Sequence, residues 1–345
     1  MNSEAQRGGS KGTQEGIPRG SRRLLSRGLT TVLVATAGLF VISLVFASSS
    51  VSRGVLLTML PFAAALAIAA LGQTLVVMQG GIDLSIAGGL SLYVVILTHY
   101  PNGVNSRLYP AIAIAFLAAI VAGSLNGFLI GRMRLNPIVA TLGTNALLYG
   151  AVFWYTGGIP RTTTARLASL GSGLWLGIPI PVYFAVVTTI VVTAVVKLTP
   201  MGRRFEGVGA NLIAARTAGI RVQRFSVGAY VWAQILYCLA AVLHAGIVNQ
   251  PTSHEGDNYL IPSVAAVVLG GTSLLGGRGN LVATVVAALF LSQLDQFVLA
   301  LGVTYATRLL VQAAALAVGV ALYTVNWRAL IRRLGLRRPA SVAPT

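Results

Sequence analysis

Residues 55–78 read VLLTMLPFAAALAIAALGQTLVVM, with no charged side chain anywhere in the run. A helix needs roughly 20 predominantly apolar residues to cross a bilayer, so this stretch is long enough to span one. Directly behind it comes Gln79-Gly80-Gly81-Ile82-Asp83-Leu84-Ser85-Ile86-Ala87-Gly88-Gly89. Paired glycines adopt backbone conformations closed to other residues and let helices approach closely. Irregular backbone at membrane depth is tolerated only where it is buried in protein or lines a cavity. The same segment also reads as a tight turn between two spans with Asp83 capping the next helix, and the two readings are compatible.

Further apolar runs lie on either side. With residues 55–78 they place spans at 29–47, 84–98, 109–131, 137–156, 180–197, 225–247, 259–271, 281–300 and 305–325. The third (84–98) and eighth (259–271) are short and flanked by glycine. The composition agrees: 55% of the 345 residues are hydrophobic and 9% are charged, against roughly 25% charged in a soluble domain. The expected fold is an all-α polytopic membrane bundle of about ten transmembrane helices over residues 28–326. Residues 1–27, rich in Gly, Ser and Arg, read as a disordered basic tail, and 327–345 as a second basic tail. Ser21-Arg22-Arg23-Leu24-Leu25 faintly resembles a twin-arginine export signal. The run behind it is too long for a cleaved signal and nine spans follow, so it reads as the flank of a retained span.

The formal charge of +18 admits either nucleic acid or a membrane as its reason. Position decides. With ten spans and an inside N-terminus, the inner side receives Arg7, Lys11, Arg19, Arg22, Arg23, Arg27, Arg132, Arg134, Lys197, Arg203, Arg204, Arg216, Arg221, Arg224, Arg278, Arg328, Arg332, Arg333, Arg337 and Arg338. The outer side receives only Arg53, Arg107, Arg161 and Arg166, and Arg308 falls in the last span. That bias sets both termini on the cytoplasmic side of the membrane and leaves no role for nucleic acid.

Several chemistries find no support. A phosphate-binding loop needs Gly-Lys-Ser/Thr, and the two lysines, Lys11 and Lys197, follow Ser10 and Val196. If ATP drives this chain, a separate subunit hydrolyses it. Ion-coupled transport usually leaves ionisable groups inside spans; here only Asp83 and Asp295 lie near membrane depth. Asp at the centre of a span costs about 2.5–3.5 kcal/mol on insertion scales, so each needs a local partner. The Gly80-Gly81 break offers backbone amides to Asp83, and Arg308 is the candidate partner for Asp295. Cys238 is the only cysteine, and His244 stands alone in the seventh span, so neither a disulfide, a metal centre nor a catalytic set is indicated.

Two more segments break the apolar pattern. Residues 199–220 form the longest inner connection, carrying Gly202, Arg203, Ala214, Ala215, Arg216 and Gly219. Asn211 is placed to cap a short helix over 212–218, with Gly219 just past its end. Such a helix under the membrane suits docking by a cytoplasmic partner; a solvated basic loop that merely sets orientation is the plainer alternative. At a second inner turn, Gly270-Gly271-Thr272-Ser273-Leu274-Leu275-Gly276-Gly277-Arg278-Gly279 holds five glycines, permitting close packing or a re-entrant bend.

Together these segments resemble the permease subunit of ribose-type ABC sugar importers. The likeness rests on Gly-Gly-Ile-Asp-Leu-Ser at 80–85, Asn126-Gly127 followed by Pro137 to Gly143, Gly202-Arg203 with Ala214 to Ile220, and the run from Gly270 to Gly279. Order and spacing hold from about residue 55 to 325. The resemblance implies a pathway formed by two permease subunits, a second copy or a paralogue. ATPase subunits holding ATP and Mg would lie beneath, and a periplasmic or lipid-anchored sugar-binding protein above. It implies no cofactor in this chain, and an ATPase-coupling element at Gly202 to Ile220. A path needing only weak hydrogen-bonding groups would draw on Gly80, Gly81, Asp83, Ser85, Asn126, Thr141, Thr144 and Asn145, although small polar residues in spans also serve helix packing. The chain departs from the family at Tyr259-Leu260-Ile261-Pro262, where Tyr-Glu-Leu-Asp is common. Related permeases carry nucleosides and branched-chain amino acids, and an ion-coupled secondary transporter is the principal rival.

Overall fold

The computed structural model describes residues 27–304 and seven positions between 306 and 317. The tails, the tenth expected span and its Arg308 therefore fall wholly or largely outside the described residues. Of the described residues, 78% are helical and 1% lie in strands. The described residues hold twelve α-helices: α1 (Arg27–Phe46), α2 (Arg53–Met78), α3 (Ile86–His99), α4 (Leu108–Gly127), α5 (Pro137–Thr156), α6 (Ala165–Ser172), α7 (Ile180–Leu198), α8 (Pro200–Ala210), α9 (Leu212–Thr217), α10 (Val222–Ile247), α11 (Asp257–Leu269) and α12 (Leu281–Ala300). A π-helical turn, Phe128–Arg132, continues α4. The only strands among them are β1 (Leu174–Trp175) and β2 (Ile178–Pro179), an antiparallel pair turned at Leu176 and Gly177, both with positive φ.

Seven helices are long and apolar enough to cross a membrane: α1, α2, α4 with its flanking turns, α5, α7, α10 and α12. The expected third and eighth spans are α3 and α11, with 14 and 13 residues. At 1.5 Å per residue they reach about 20 Å, short of the roughly 30 Å hydrocarbon core. Each short helix adjoins a glycine break, which lies before α3 and after α11.

α2 and α10, each of 26 residues, form the centre: 61% of each apolar window is buried, against 28% in α5 and α7. Small residues allow this packing. A Cβ on Gly72 of α2 would lie 2.9 Å from the Ala233 carbonyl of α10, and one on Gly123 of α4 would lie 2.6 Å from Val231 Cα. The helix starts are written locally. Asn136 accepts from Ile138 N with Pro137 at the first position of α5, Thr199 accepts from Gly202 N with Pro200 leading α8, and Asn280 accepts from Ala283 N of α12.

The basic, glycine-bearing run 199–210 reads as loop, whereas Pro200–Ala210 folds as α8. A Pro at the first helical turn and a Thr cap were the available signals. Asn211 accepts from both Ile213 N and Ala214 N and so caps α9. Replacing an N-cap by alanine costs about 1 kcal/mol. Asn211→Ala is therefore expected to speed amide exchange across 212–217 while leaving α10 protected, checked by hydrogen–deuterium exchange.

Candidate functional site: a glycine junction and a buried polar cluster

Three helix ends share one geometry. Gly80, Gly219 and Gly271 have φ of 77°, 76° and 77°. In each case the glycine N–H and the next N–H turn back onto the preceding turn: Gly80 N to Val77 O and Gly81 N to Val76 O, Gly219 N to Arg216 O and Ile220 N to Ala215 O, Gly271 N to Val268 O and Thr272 N to Val267 O. This double bond pattern with a left-handed residue just past the helix is the Schellman cap, which favours glycine. The three segments singled out in the sequence thus end α2, α9 and α11 alike.

They also meet. The Met78 carbonyl at the end of α2 accepts from Gly277 N at 2.8 Å. A Cβ on Gly209 of α8 would lie 1.9 Å from that same carbonyl and 3.0 Å from Gly277 N. One on Gly276 would lie 2.7 Å from the Gly209 carbonyl and 3.2 Å from Gly80 N. Gln79 Nε2 donates to the Phe205 carbonyl of α8 at 2.9 Å. The α2 terminus, the α8–α9 unit and the 270–280 turn therefore form one backbone-to-backbone junction. Within the last, Ser273 N donates to the Arg278 carbonyl, and Thr272 Oγ1 accepts from Asn280 N.

Arg203, Arg204, Arg216, Arg221 and Arg224 stand exposed around this junction, with Met201, Leu212 and Ile213 exposed among them. Lys197 pairs with Glu206. On the inner side of α8–α9, Gly202 packs against the Val195 and Val196 carbonyls, and Ala215 is buried with Val208 and Val222. The unit thus presents an arginine-rich face with apolar side chains and is anchored on its other side.

Beyond the break, residues 83–88 enter a sealed polar cluster. Asp83 and Ser85 are fully buried. Asp83 Oδ1 accepts from Ser85 N at 2.9 Å and from the Ser85 hydroxyl. The sequence reading made Asp83 the cap of the next helix; the bond falls instead on Ser85, the residue before α3, and Asp83 closes the turn that leads into it. Gln234 Nε2 of α10 donates to Ser85 Oγ (2.7 Å) and Asp83 Oδ2 (3.2 Å), while Tyr93 OH donates to Gln234 Oε1 (2.6 Å). Gln73 of α2, with its amide turned to satisfy both ends, accepts from Asp83 N at 3.1 Å and donates to Tyr237 OH at 2.7 Å.

The remaining sequence candidates divide. Asn126 Nδ2 donates to Ser85 Oγ (2.8 Å), Thr141 Oγ1 accepts from Leu84 N (3.0 Å) and Asn145 Oδ1 accepts from Gly88 N (2.7 Å). α4 and α5 thus clamp the start of α3. Thr144 Oγ1 and Asn126 Oδ1 are buried without a hydrogen-bond partner among the described residues. Gly81 faces Tyr230, whose hydroxyl would lie 2.3 Å from an added Cβ. Sequence reasoning missed Gln234, Tyr93 and Gln73 as members. The available signal was a glutamine inside each of two apolar helices, because a buried amide needs partners as surely as a carboxylate does.

At the opposite end, His244 is not alone. Its ring nitrogens meet Tyr259 OH and Glu255 Oε2, both at 2.8 Å. Burial raises the pKa of Glu255, but bonds from His244 and Thr252 outweigh it and hold the carboxyl below the usual 4.5. A depressed folded pKa adds stability that is present above the unfolded value and lost as pH falls through the folded one. Amide protection in 248–256 should therefore weaken below pH 4.5 in the wild type. Glu255→Gln should show weakened protection already at neutral pH, with the two converging in acid; pH-dependent hydrogen exchange reads this.

The family model described as "Branched-chain amino acid transport system / permease component" matches residues 55–320. The chain is 34% identical over 257 residues to the ribose import permease protein RbsC of Bacillus subtilis, covering 73% of this chain and 79% of that one. It is 33% identical over 260 residues to RbsC of Escherichia coli K12, covering 74% and 80%. It is 32% identical over 266 residues to the autoinducer 2 import system permease protein LsrC of Salmonella paratyphi B, covering 77% of each. No solved structure matches it. With the match running through the α2 break, the α8–α9 unit and the glycine turn, the chain belongs to this family of multi-pass transport-system permease components.

Proposed function

We propose that the chain is the permease subunit of an ATP-driven importer for a monosaccharide or similar small polar solute. The cargo assignment rests on the relatives, whose names specify ribose and autoinducer 2. About ten spans would cross the bacterial inner membrane with both termini in the cytoplasm. This follows from the basic residues, since Arg132, Arg134, Lys197, Arg203, Arg204, Arg216, Arg221, Arg224 and Arg278 gather at the junction end of the helices. Two permeases, two copies or this chain with a paralogue, would enclose the path. A partner ATPase holding ATP and Mg would seat on α8–α9, and a sugar-binding protein would deliver cargo at the opposite end.

The observation that carries the reading is the junction of Gly209, Met78 and Gly277. It links the exposed α8–α9 face to the α2 end, and through residues 79–85 to the buried cluster at the start of α3. A displacement of α8–α9 by the ATPase would then be transmitted to α2 and α3 through backbone contacts that leave little slack. The Asp83–Ser85–Gln234 cluster, with Gly80, Gly81, Asn126, Thr141, Thr144 and Asn145 around it, would be the part of the path that rearranges.

Uptake of labelled D-ribose into sealed vesicles tests this. The expected result is accumulation only with ATP, the ATPase and the binding protein together. Accumulation driven by a proton or sodium gradient without them would make Asp83 or Asp295 the centre of an ion-coupled carrier and overturn the proposal.

A further inference from the structure

At the end of the bundle away from the glycine junction, a cavity of about 410 Å³ lies between α2, α10, α11 and α12. Small-ligand sites typically occupy roughly 300–1,000 Å³. Tyr259 and Leu291 are buried at its floor, and Asp257 and Asn258 are exposed at its mouth. Phe62 of α2 forms an apolar wall, its ring edge-on to His244 with centroids 5.8 Å apart. Across from it, α12 supplies Ser292, Asp295 and Gln296.

The lining selects a class of ligand. The side-chain amides of Asn258 and Gln296 make no hydrogen bond to any described residue, so each presents both donors and an acceptor to the cavity. Hydroxyl groups, which donate and accept, match such amides. The apolar face of a sugar ring matches an aromatic wall. Among the described residues no Lys or Arg lines the cavity, whereas Glu255, Asp257 and Asp295 do, which disfavours an anion. A cation cage is disfavoured because all three carboxylates already have partners. Glu255 holds His244 and Thr252, and Asp257 holds Tyr149 and His254.

We propose that this cavity is a subsite for a neutral polyhydroxylated ligand of monosaccharide size, on the side from which cargo arrives. The subsite rests on the reading of the chain as a sugar permease and adds that the permease itself, before any movement of the path, holds the sugar.

The test is cysteine protection on the full chain in lipid nanodiscs. The natural Cys238 is buried, so Ser292→Cys supplies the reporter, labelled by a membrane-impermeant thiosulfonate. D-Ribose should slow labelling about tenfold once about nine-tenths of the sites are filled, while ribose 5-phosphate and choline should leave it unchanged. Adding Asn258→Ala or Gln296→Ala should remove protection without altering the rate in buffer. As a second measurement independent of the reporter, equilibrium dialysis of labelled ribose should show binding to the unmodified chain and its loss in both alanine variants. Absence of protection and of binding by ribose, or protection by choline instead, overturns the subsite. ATP-driven ribose uptake without either effect would refute the subsite alone. Ribose binding to a chain that fails in ATP-driven uptake would refute the transport reading alone.

Discussion

Gly209→Ala is expected to reduce ATP-driven uptake to near background while the chain still inserts in the membrane. The added methyl would stand 1.9 Å from the Met78 carbonyl and 3.0 Å from Gly277 N. Both obstacles are backbone atoms, so no side-chain rotation relieves them. Overpacking typically costs about 1–3 kcal/mol, and a clash with two backbone groups belongs at the upper end. The structure can respond only by moving α8 away from α2 and the 270–280 turn, which breaks the link from the α8–α9 face to residues 79–85. Gly207→Ala, two residues earlier on α8, is the control. Nothing lies within 4 Å of its added methyl, and alanine favours a helix over glycine by up to about 1 kcal/mol. Uptake should be unchanged there. Equal effects of the two variants, read by vesicle uptake and by amide exchange across 200–217, would show that the junction transmits nothing.

Gln234→Leu should produce the largest loss of stability among single side-chain changes in the buried cluster. Gln234 alone bonds Asp83, Ser85 and Tyr93 at once. Leucine fills similar space but leaves the Asp83 carboxylate short of a donor and the Tyr93 hydroxyl without its acceptor. Each buried group left unsatisfied costs about 1–3 kcal/mol, so a loss of about 2–4 kcal/mol is expected, several-fold beyond a surface change. The midpoint of thermal unfolding in detergent should fall by several degrees. Gln223→Leu, at the exposed start of the same helix, should leave it in place. A Gln234→Leu chain as stable as wild type would show that the cluster does not hold the α2–α3 break.

Much of this architecture could be read from residue order. The apolar runs located nine helices of the described region to within a few residues, because lipid demands length and hydrophobicity wherever a helix crosses. The glycine pairs at 80–81 and 270–271 marked real chain reversals, and Asn211 with Gly219 bounded a real helix, because caps are local chemistry. What order could not supply was convergence. Gly209 carries no signal beyond being one more glycine among 39, and its role exists only because Met78 and Gly277 arrive beside it. Gln234 and Asp83 lie 151 positions apart, and their bond depends on α10 packing beside α3. His244 and Glu255 are only 11 residues apart, but their pairing depends on how the loop after the span folds back. The basic and glycine content of α8 resembles a loop, although Thr199-Pro200 opens a helix in the ordinary way.

On the proposed mechanism, the arginine-rich face of α8–α9 receives the ATPase and drives the rest of the chain. The most direct measurement is uptake in vesicles holding the ATPase and binding protein with Arg203→Glu or Arg216→Glu. Both side chains are exposed, so reversal of charge alters the docking face without disturbing the core. Each variant should reach the membrane in normal amount but lose ATP-dependent uptake, with ATP hydrolysis no longer stimulated by loaded binding protein. Unaltered ATP-dependent uptake in both variants would contradict it.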